Sequence, residues 1–307
     1  MRLVRHINDL PYRQLAAGSV VTIGAFDGVH LGHRQLLRRV VETAREEGLN
    51  AVAMSFEPTP KEFFLRESAP ARLMRFREKY EALGERDIDL FFCPRFDASM
   101  RDISAASFIR QILVHGLNAR HLVIGDDFRF GRKRAGDFGT LVDAGRRHGF
   151  EVVDTPSYEI DGVRVSSTAV RQALAAGHLE AARRMLGRRY VMGGRVVAGR
   201  QLGRELGFPT ANIRLGRRKP PLRGVFAVAH GGSARCSHHA GEGQLFLLHL
   251  GLVDDPVHDL LFQHQVFHLL ALLRVLGIPL HQFGGVLVGG GEVLDGGIKP
   301  LLVEFQL

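Results

Sequence analysis

Cysteine is scarce in this chain, long apolar runs are missing, and several motifs of common nucleotide chemistry are absent. Cys93 and Cys236 are its two cysteines. They form no metal-ligand spacing and point to a reducing compartment. No apolar run is long enough to cross a bilayer, so a membrane span is not expected. Met1 to Gly18 carries charges throughout, unlike a signal peptide, and the expected location is cytoplasmic. There is no Walker-type lysine, which argues against γ-phosphoryl transfer on a P-loop. A Lys-Met-Ser-Lys-Ser-like loop is also lacking, which argues against a class I aminoacyl-tRNA synthetase. The net charge is +9, yet no basic run is interleaved with aromatics, so no nucleic-acid partner is expected. What remains is 307 residues, 45% hydrophobic and 24% charged, an ordinary globular composition long enough for two domains.

The most informative stretch is residues 20–37. Val20 to Ile23 is apolar and β-branched without alternation, as in a buried parallel strand. Gly24, Phe26, Asp27 and Gly28 follow as a turn, and Leu36, Leu37 and Val40 begin a helical stripe that runs toward Glu47. His30-Leu31-Gly32-His33 therefore sits where a strand hands over to a helix. Unpaired helix N–H groups and the positive dipole end favour a phosphate there, two imidazoles can donate to it, and Gly32 permits close approach.

Further strands are expected at 50–56, 88–92, 121–124 and 150–154, and helices at 72–84, 104–114 and 138–148, with Ser104 as an N-cap. This alternation predicts a doubly wound parallel sheet with helices on both faces. The prolines of Glu57-Pro58-Thr59-Pro60 are expected to forbid helix and shape a loop at a strand end. At another strand end, Gly125 to Asp137 mixes carboxylates, phenylalanines, glycines and four basic side chains. Val165-Ser166-Ser167-Thr168-Ala169-Val170-Arg171 opens a helix with Ser166 or Ser167 as N-cap. Its hydroxyls and the arginine one turn on make a second phosphate grip. Two such helix starts without a Walker lysine suggest nucleotidyl transfer. ATP would be held while an acceptor phosphate attacks in line, without a protein nucleophile. Mg²⁺ would bridge the phosphate oxygens.

Taken together, Gly24-Ala25-Phe26-Asp27-Gly28-Val29-His30-Leu31-Gly32-His33, Phe56-Glu57-Pro58, Gly125-Asp126-Asp127-Phe128-Arg129-Phe130-Gly131 and Ser166 to Arg171 resemble the bacterial bifunctional riboflavin kinase/FMN adenylyltransferase (FAD synthetase) family. They stand in family order and at family-like separations. The resemblance implies a Rossmann-like nucleotidyltransferase domain over 1–186, with ATP, FMN and riboflavin as small-molecule substrates. It implies that His30, His33 and Arg171 are catalytic. Gly24, Phe26, Asp27, Gly28, Gly32, Ser166, Ser167 and Thr168 would bind ATP, and Phe56, Pro58, Asp127, Phe128 and Arg129 would place FMN. Thr59 departs from the family, which often has histidine there.

Residues 187–228 resemble the opening of the family's riboflavin kinase module, an antiparallel barrel. The matching pieces are Gly193 to Gly199, Gly203 to Asn212 and Pro221 to Val228. By that resemblance Gly199, Gly207, Pro209, Thr210 and Asn212 hold ATP and metal, with Thr210 the metal ligand. The match then stops. Residues 225–307 hold 13 Gly, 18 Leu and 8 His but three basic residues, and no Asn-x-Gly-x-Arg-Pro-Thr, Leu-Glu-Val-His-Leu or Arg-x-Glu-x-x-Phe segment. The histidines match no ligand spacing. An apolar helix over 260–276 is another reading, although it lacks basic flanks. The preferred expectation is a different reading frame or a rearranged gene end over 229–307, which would leave an incomplete barrel, a misfolding risk and impaired kinase activity. The rival functions are a nucleotidyltransferase for another phosphorylated acceptor and a flavin- or nucleotide-binding regulator without catalysis.

Overall fold

The computed structural model describes residues 1–125, 127–197, 210–222, 224–231, 245–250, 283–289 and 300–305. Two compact units emerge. Met1–Pro70 and Met74–Ser167 form the first, and Ala71–Leu73 with Thr168–Leu307 the second.

The first unit is a six-stranded sheet of β1 (Arg2–Val4), β2 (Ser19–Ile23), β3 (Asn50–Met54), β4 (Leu90–Phe92), β5 (Ala119–Ile124) and β6 (Glu151–Asp154). Their order is β1-β4-β3-β2-β5-β6, and every pairing is parallel. Chain order runs outward from β2 through β3 to β4, then crosses to β5 on the other side. The carboxyl ends of β2 and β5 are thus the point where winding reverses, where open α/β sheets bind ligands.

Successive side chains of β2 serve opposite faces. Val20 joins a cluster with Leu36, Leu37, Val40 and Ala44 of α1 (Leu31–Glu46), while Val21 and Ile23 join Ile109, Ile112 and Leu113 on the other face. Burial of each such side chain is worth about 1.5–3 kcal/mol, so both helical layers are anchored by the same strand. The second layer opens with α5 (Ala105–Ser107), capped by Ser104, whose hydroxyl accepts from Ser107 N, and continues as π-helix over Phe108–Gly116. Asp137 caps α6 (Phe138–His148), which ends on left-handed Gly149.

Three details depart from the sequence reading. Pro60 does not forbid helix but begins one, α2 (Pro60–Leu65), because the first helical position needs no N–H donor. Thr59 caps it in a reciprocal box with Glu62. The helix expected from residue 72 starts four residues later, as α3 (Phe76–Gly84). A short hairpin, β7 (Glu159–Ile160) and β8 (Val163–Arg164), was not expected. It turns on Asp161 and Gly162, both at positive φ, which suits strand twist.

The second unit carries α7 (Ser167–Ala175, from Thr168 on), α8 (Leu179–Leu186) and six strands. These are β9 (Val191–Val197), β10 (Thr210–Arg214), β11 (Gly224–Gly231), β12 (Leu245–Leu250), β13 (Phe283–Gly289) and β14 (Pro300–Phe305). They close into a barrel in the order β10-β13-β12-β11-β14-β9. β13 pairs parallel with β10 and β12, and the other four pairings are antiparallel. A barrel is present as expected, but where the sequence reading leaves it incomplete the described strands close the ring, with β12, β13 and β14 drawn from residues 229–307. Closure gives every strand edge a partner. The reading of residues 260–276 as an apolar helix falls outside the described residues.

A Cβ added at Gly145 on α6 would overlap the backbone oxygen of Phe150, which cannot swing aside as a side chain would. Alanine gains roughly 1 kcal/mol in helix propensity over glycine, whereas overpacking costs about 1–3 kcal/mol. Gly145→Ala should therefore lower the urea midpoint with an unchanged slope. A raised midpoint would mean that the α6–β6 junction yields freely.

Candidate nucleotide site

The chain leaves β2 through a turn whose backbone is unusual. Phe26 (φ 47°) and Val29 (φ 40°) are non-glycine residues at positive φ, and Gly28 (φ 88°) lies between them. A β-branched valine there is a steric outlier, costing of order 1–3 kcal/mol, and persists only where its surroundings over-determine it. They do so here. Phe26 is fully buried, Val29 is 1% exposed, and both pack with Leu36 and Leu37. Asp27 is pinned at two points: its Oδ1 accepts from Met74 N at 2.9 Å and its carbonyl from Ser167 Oγ at 2.8 Å. Gly24 lies against the Phe26 ring, where a Cβ would come within 3.1 Å.

That turn delivers His30 as the N-cap of α1. Its Nδ1 accepts from His33 N at 3.3 Å, which leaves the Nε2 of neutral His30 as a donor. The rings of His30 and His33 stack at 3.7 Å with 20° between planes, and Phe26 meets His33 edge-on at 5.3 Å. His33 Nδ1 is buried without a hydrogen-bond partner. Burial above all, then the electrostatic influence of His30 and of Lys79, holds the His33 imidazole well below the ordinary histidine range. Two unit charges about 4 Å apart repel by about 4 kcal/mol at an effective dielectric near 20, so the pair resists double protonation. An anion at the helix start would reverse that balance. Gly32 leaves room beside the stack: a Cβ would stand 3.3 Å from His30 Nδ1 and 3.4 Å from Tyr158 Cβ.

Ser167 opens α7, and its hydroxyl serves the Asp27 carbonyl rather than a cap. Thr168 and Arg171 follow on α7 within the second unit, where Arg171 Nε donates to the Ala71 carbonyl at 2.6 Å. Ser166 directly precedes the helix.

Phe56 and Pro58 follow β3, and Asp127, Phe128 and Arg129 follow β5, all at the carboxyl edge of the sheet. Phe56 and Phe128 pack against one core cluster, shared with the second helical layer. Asp127 Oδ2 pairs with Arg164 Nη2 at 2.9 Å, and Arg129 Nη1 donates to the Phe128 carbonyl. Phe128 stacks on Phe130 at 5.7 Å, and Phe130 is core, 6% exposed. Phe63, Phe64 and Phe96 did not figure in the sequence reading. Phe96 meets Phe56, Phe63 and Phe64 edge-on at 5.3–5.8 Å, with Phe64 59% exposed. The adjacent pair Phe63-Phe64 beside two prolines was the available signal. Thr210 and Asn212 lie on β10, whereas Gly199, Gly207 and Pro209 are outside the described residues.

An open groove of about 710 Å³ lies instead at the amino ends of β5 and β6, lined by Glu47, Arg120, His121, Arg146 and Glu151 among others. There His121 is clamped between Glu47 (2.7 Å) and Glu151 (3.3 Å), so the polar groups satisfy one another away from the switch point.

A winding reversal, a strained turn, a helix start and a stacked histidine pair meet at one edge of an α/β protein, the place where such sheets bind nucleotide phosphates. Family models agree: that of FAD synthetase matches residues 13–169, and that of riboflavin kinase matches residues 186–242. The chain is 47% identical over 228 residues to the bifunctional riboflavin kinase/FMN adenylyltransferase of Escherichia coli K12, covering 74% of this chain and 72% of that protein. It is 48% identical over 229 residues to the Pseudomonas fluorescens protein of the same name, covering 75% and 73%. A crystal structure of a macrolide-efflux protein from Streptococcus pneumoniae superposes with TM-score 0.64 at 27% identity, over 76% of this chain and 75% of that one. The chain belongs to the bifunctional riboflavin kinase/FMN adenylyltransferase family, a family of transferases. Among the described residues no helix is long and apolar enough to cross a membrane.

The depressed His33 has a signed consequence. Below about pH 6.5 an unfolded histidine binds a proton that native His33 refuses. Stability should therefore fall as pH drops from 6.5 toward the native His33 value, and His33→Gln should flatten that slope. Urea midpoints measured from pH 5 to 7.5 check this; an equal slope in both proteins would remove His33 as its source.

Proposed function

We propose that the chain transfers the adenylyl group of ATP to FMN, giving FAD and pyrophosphate, within a nucleotidyltransferase domain spanning 1–186. The observation that carries this reading is the stacked His30–His33 pair at the start of α1, beside the β2–β5 switch point. The FMN phosphate oxygen attacks the α-phosphorus of ATP, and the bond to the pyrophosphate oxygen breaks. His30 and His33 donate hydrogen bonds to phosphate oxygens as charge builds, and the α1 dipole adds to them. Gly24, Phe26, Asp27, Gly28 and Gly32 shape the turn that lets ATP approach. Ser166, Ser167, Thr168 and Arg171 grip the departing pyrophosphate. Phe56, Pro58, Asp127, Phe128 and Arg129 seat FMN for in-line attack, which makes the reaction chiefly one of positioning.

Mg²⁺ is the expected metal. When bound it supplies charge neutralisation across the phosphates. Thr210 and Asn212 on β10, with Gly199, Gly207 and Pro209, are assigned to a second ATP and metal site of a riboflavin kinase module that begins at 187. We infer that riboflavin phosphorylation is impaired, because residues 229–307 lack the module's later motifs. The substrates are small molecules, and the working location is cytoplasmic.

Incubating the purified chain with ATP and either FMN or riboflavin, then separating the flavins, tests both statements. FAD from FMN with little FMN from riboflavin is expected. Equal production of both would overturn the kinase inference, and no FAD would overturn the main one. His33→Ala should lower kcat for FAD formation about 10²- to 10³-fold, the scale seen when one charge-stabilising donor is removed.

A further inference from the structure

Between α2 and α3 the chain passes through Ala71-Arg72-Leu73-Met74, and a distant side chain takes a backbone group of each residue. The Ala71 carbonyl accepts from Arg171 Nε at 2.6 Å. The Arg72 carbonyl accepts from Arg217 Nη1 at 3.1 Å, and the Leu73 carbonyl accepts from the same nitrogen at 2.9 Å. Tyr190 donates its hydroxyl hydrogen to the Leu73 carbonyl at 2.9 Å and accepts from Arg217 Nη1 at 2.8 Å, which closes a triangle. These donors lie 100 to 145 positions further along the chain. A connecting segment ordinarily leaves its backbone to water at the surface. Here Leu73 is fully buried, Tyr190 is 4% exposed, and Arg217 follows β10 between buried Leu215 and Leu222. Arg217, Tyr190 and Ala71–Leu73 all belong to the second unit, whereas Met74, whose N–H holds Asp27, belongs to the first.

One peptide plane joins these contacts. The Leu73 carbonyl and the Met74 N–H are opposite ends of a rigid, planar group, so fixing the oxygen fixes the direction of the hydrogen. That hydrogen is the one the Asp27 carboxylate accepts, at 2.9 Å. A cationic donor on the oxygen also polarises the peptide and strengthens its N–H as a donor.

We propose that Arg217, assisted by Tyr190, is a positioning residue for adenylyl transfer: it orients the Leu73–Met74 peptide, which holds the Asp27 turn that sets His30 and His33. The proposal rests on the adenylyl-transfer reading above. Without the Arg217 donor the peptide plane tilts, Asp27 loses its N–H partner, and the strained turn at Val29 gains a path to relax. The histidine donors then miss the place where charge builds.

Amide hydrogen exchange and flavin assays on the full chain test this together. Arg217→Met should speed exchange of the Met74 amide about 10-fold or more, while the amides of Val20 to Thr22 in β2 keep wild-type rates. It should also lower kcat for FAD formation by about 10- to 10²-fold, the scale of a misplacement of about 1 Å. Tyr190→Phe keeps the ring and removes one of the two donors to Leu73, so it should move both readings the same way by less. Wild-type Met74 exchange, or wild-type kcat, in a folded Arg217→Met protein would overturn the proposal. So would an equal acceleration at Met74 and across β2, which marks a loss of overall stability. If Arg217→Met does not fold, Tyr190→Phe decides, and unchanged Met74 exchange in that variant would sink the idea. Absence of FAD formation by the wild type would instead remove the adenylyl-transfer reading, with the Met74 exchange still reporting whether Arg217 holds the turn.

Discussion

Asp27 is the point on which the nucleotide edge of the first unit depends. Its carboxylate takes the Met74 N–H and its carbonyl takes the Ser167 hydroxyl, so residues 47 and 140 positions away hold one turn. That turn contains Val29 at a backbone angle valine avoids. Packing of Phe26 and Val29 onto α1 makes the strain affordable, and the two hydrogen bonds remove the freedom to relax it. The result is a helix start aimed from the winding reversal of the sheet, with His30 and His33 stacked across its first turn.

Electrostatics then gives the histidine pair its character. Stacked imidazoles at 3.7 Å in a partly dehydrated setting cannot both carry charge. A site in this state is short of negative charge rather than rich in positive charge. That is the condition in which an incoming phosphate gains most, because it meets little water and oriented donors. The aromatic edge opposite is built differently. Phe96 ties Phe56 to Phe63 and Phe64, and the Thr59–Glu62 box fixes the helix that carries the latter two.

The second unit poses a different balance. The stretch matched by the riboflavin kinase model supplies β9, β10 and β11, and the remainder supplies β12 to β14. A barrel asks chiefly for strands that can pair all the way round, a demand that many apolar sequences satisfy. A catalytic site asks for particular side chains at particular registers. Closure of a ring is therefore compatible with a divergent sequence over its later strands.

The sequence by itself determined the parallel α/β architecture, since unalternating β-branched strands separated by amphipathic helices have few other ways to bury themselves. It also determined the place of the histidine pair, because glycine punctuation and a strand–helix boundary are local signals. Pro60 was misread because one position decides whether a proline starts a helix or stops it. Only the tertiary structure decided that Ser167 serves Asp27 instead of a cap, that Phe96 joins the aromatic edge, and that Lys79 is buried. The physical reason is common to all three. Each depends on which surfaces meet across long stretches of chain, and neither spacing nor propensity carries that information.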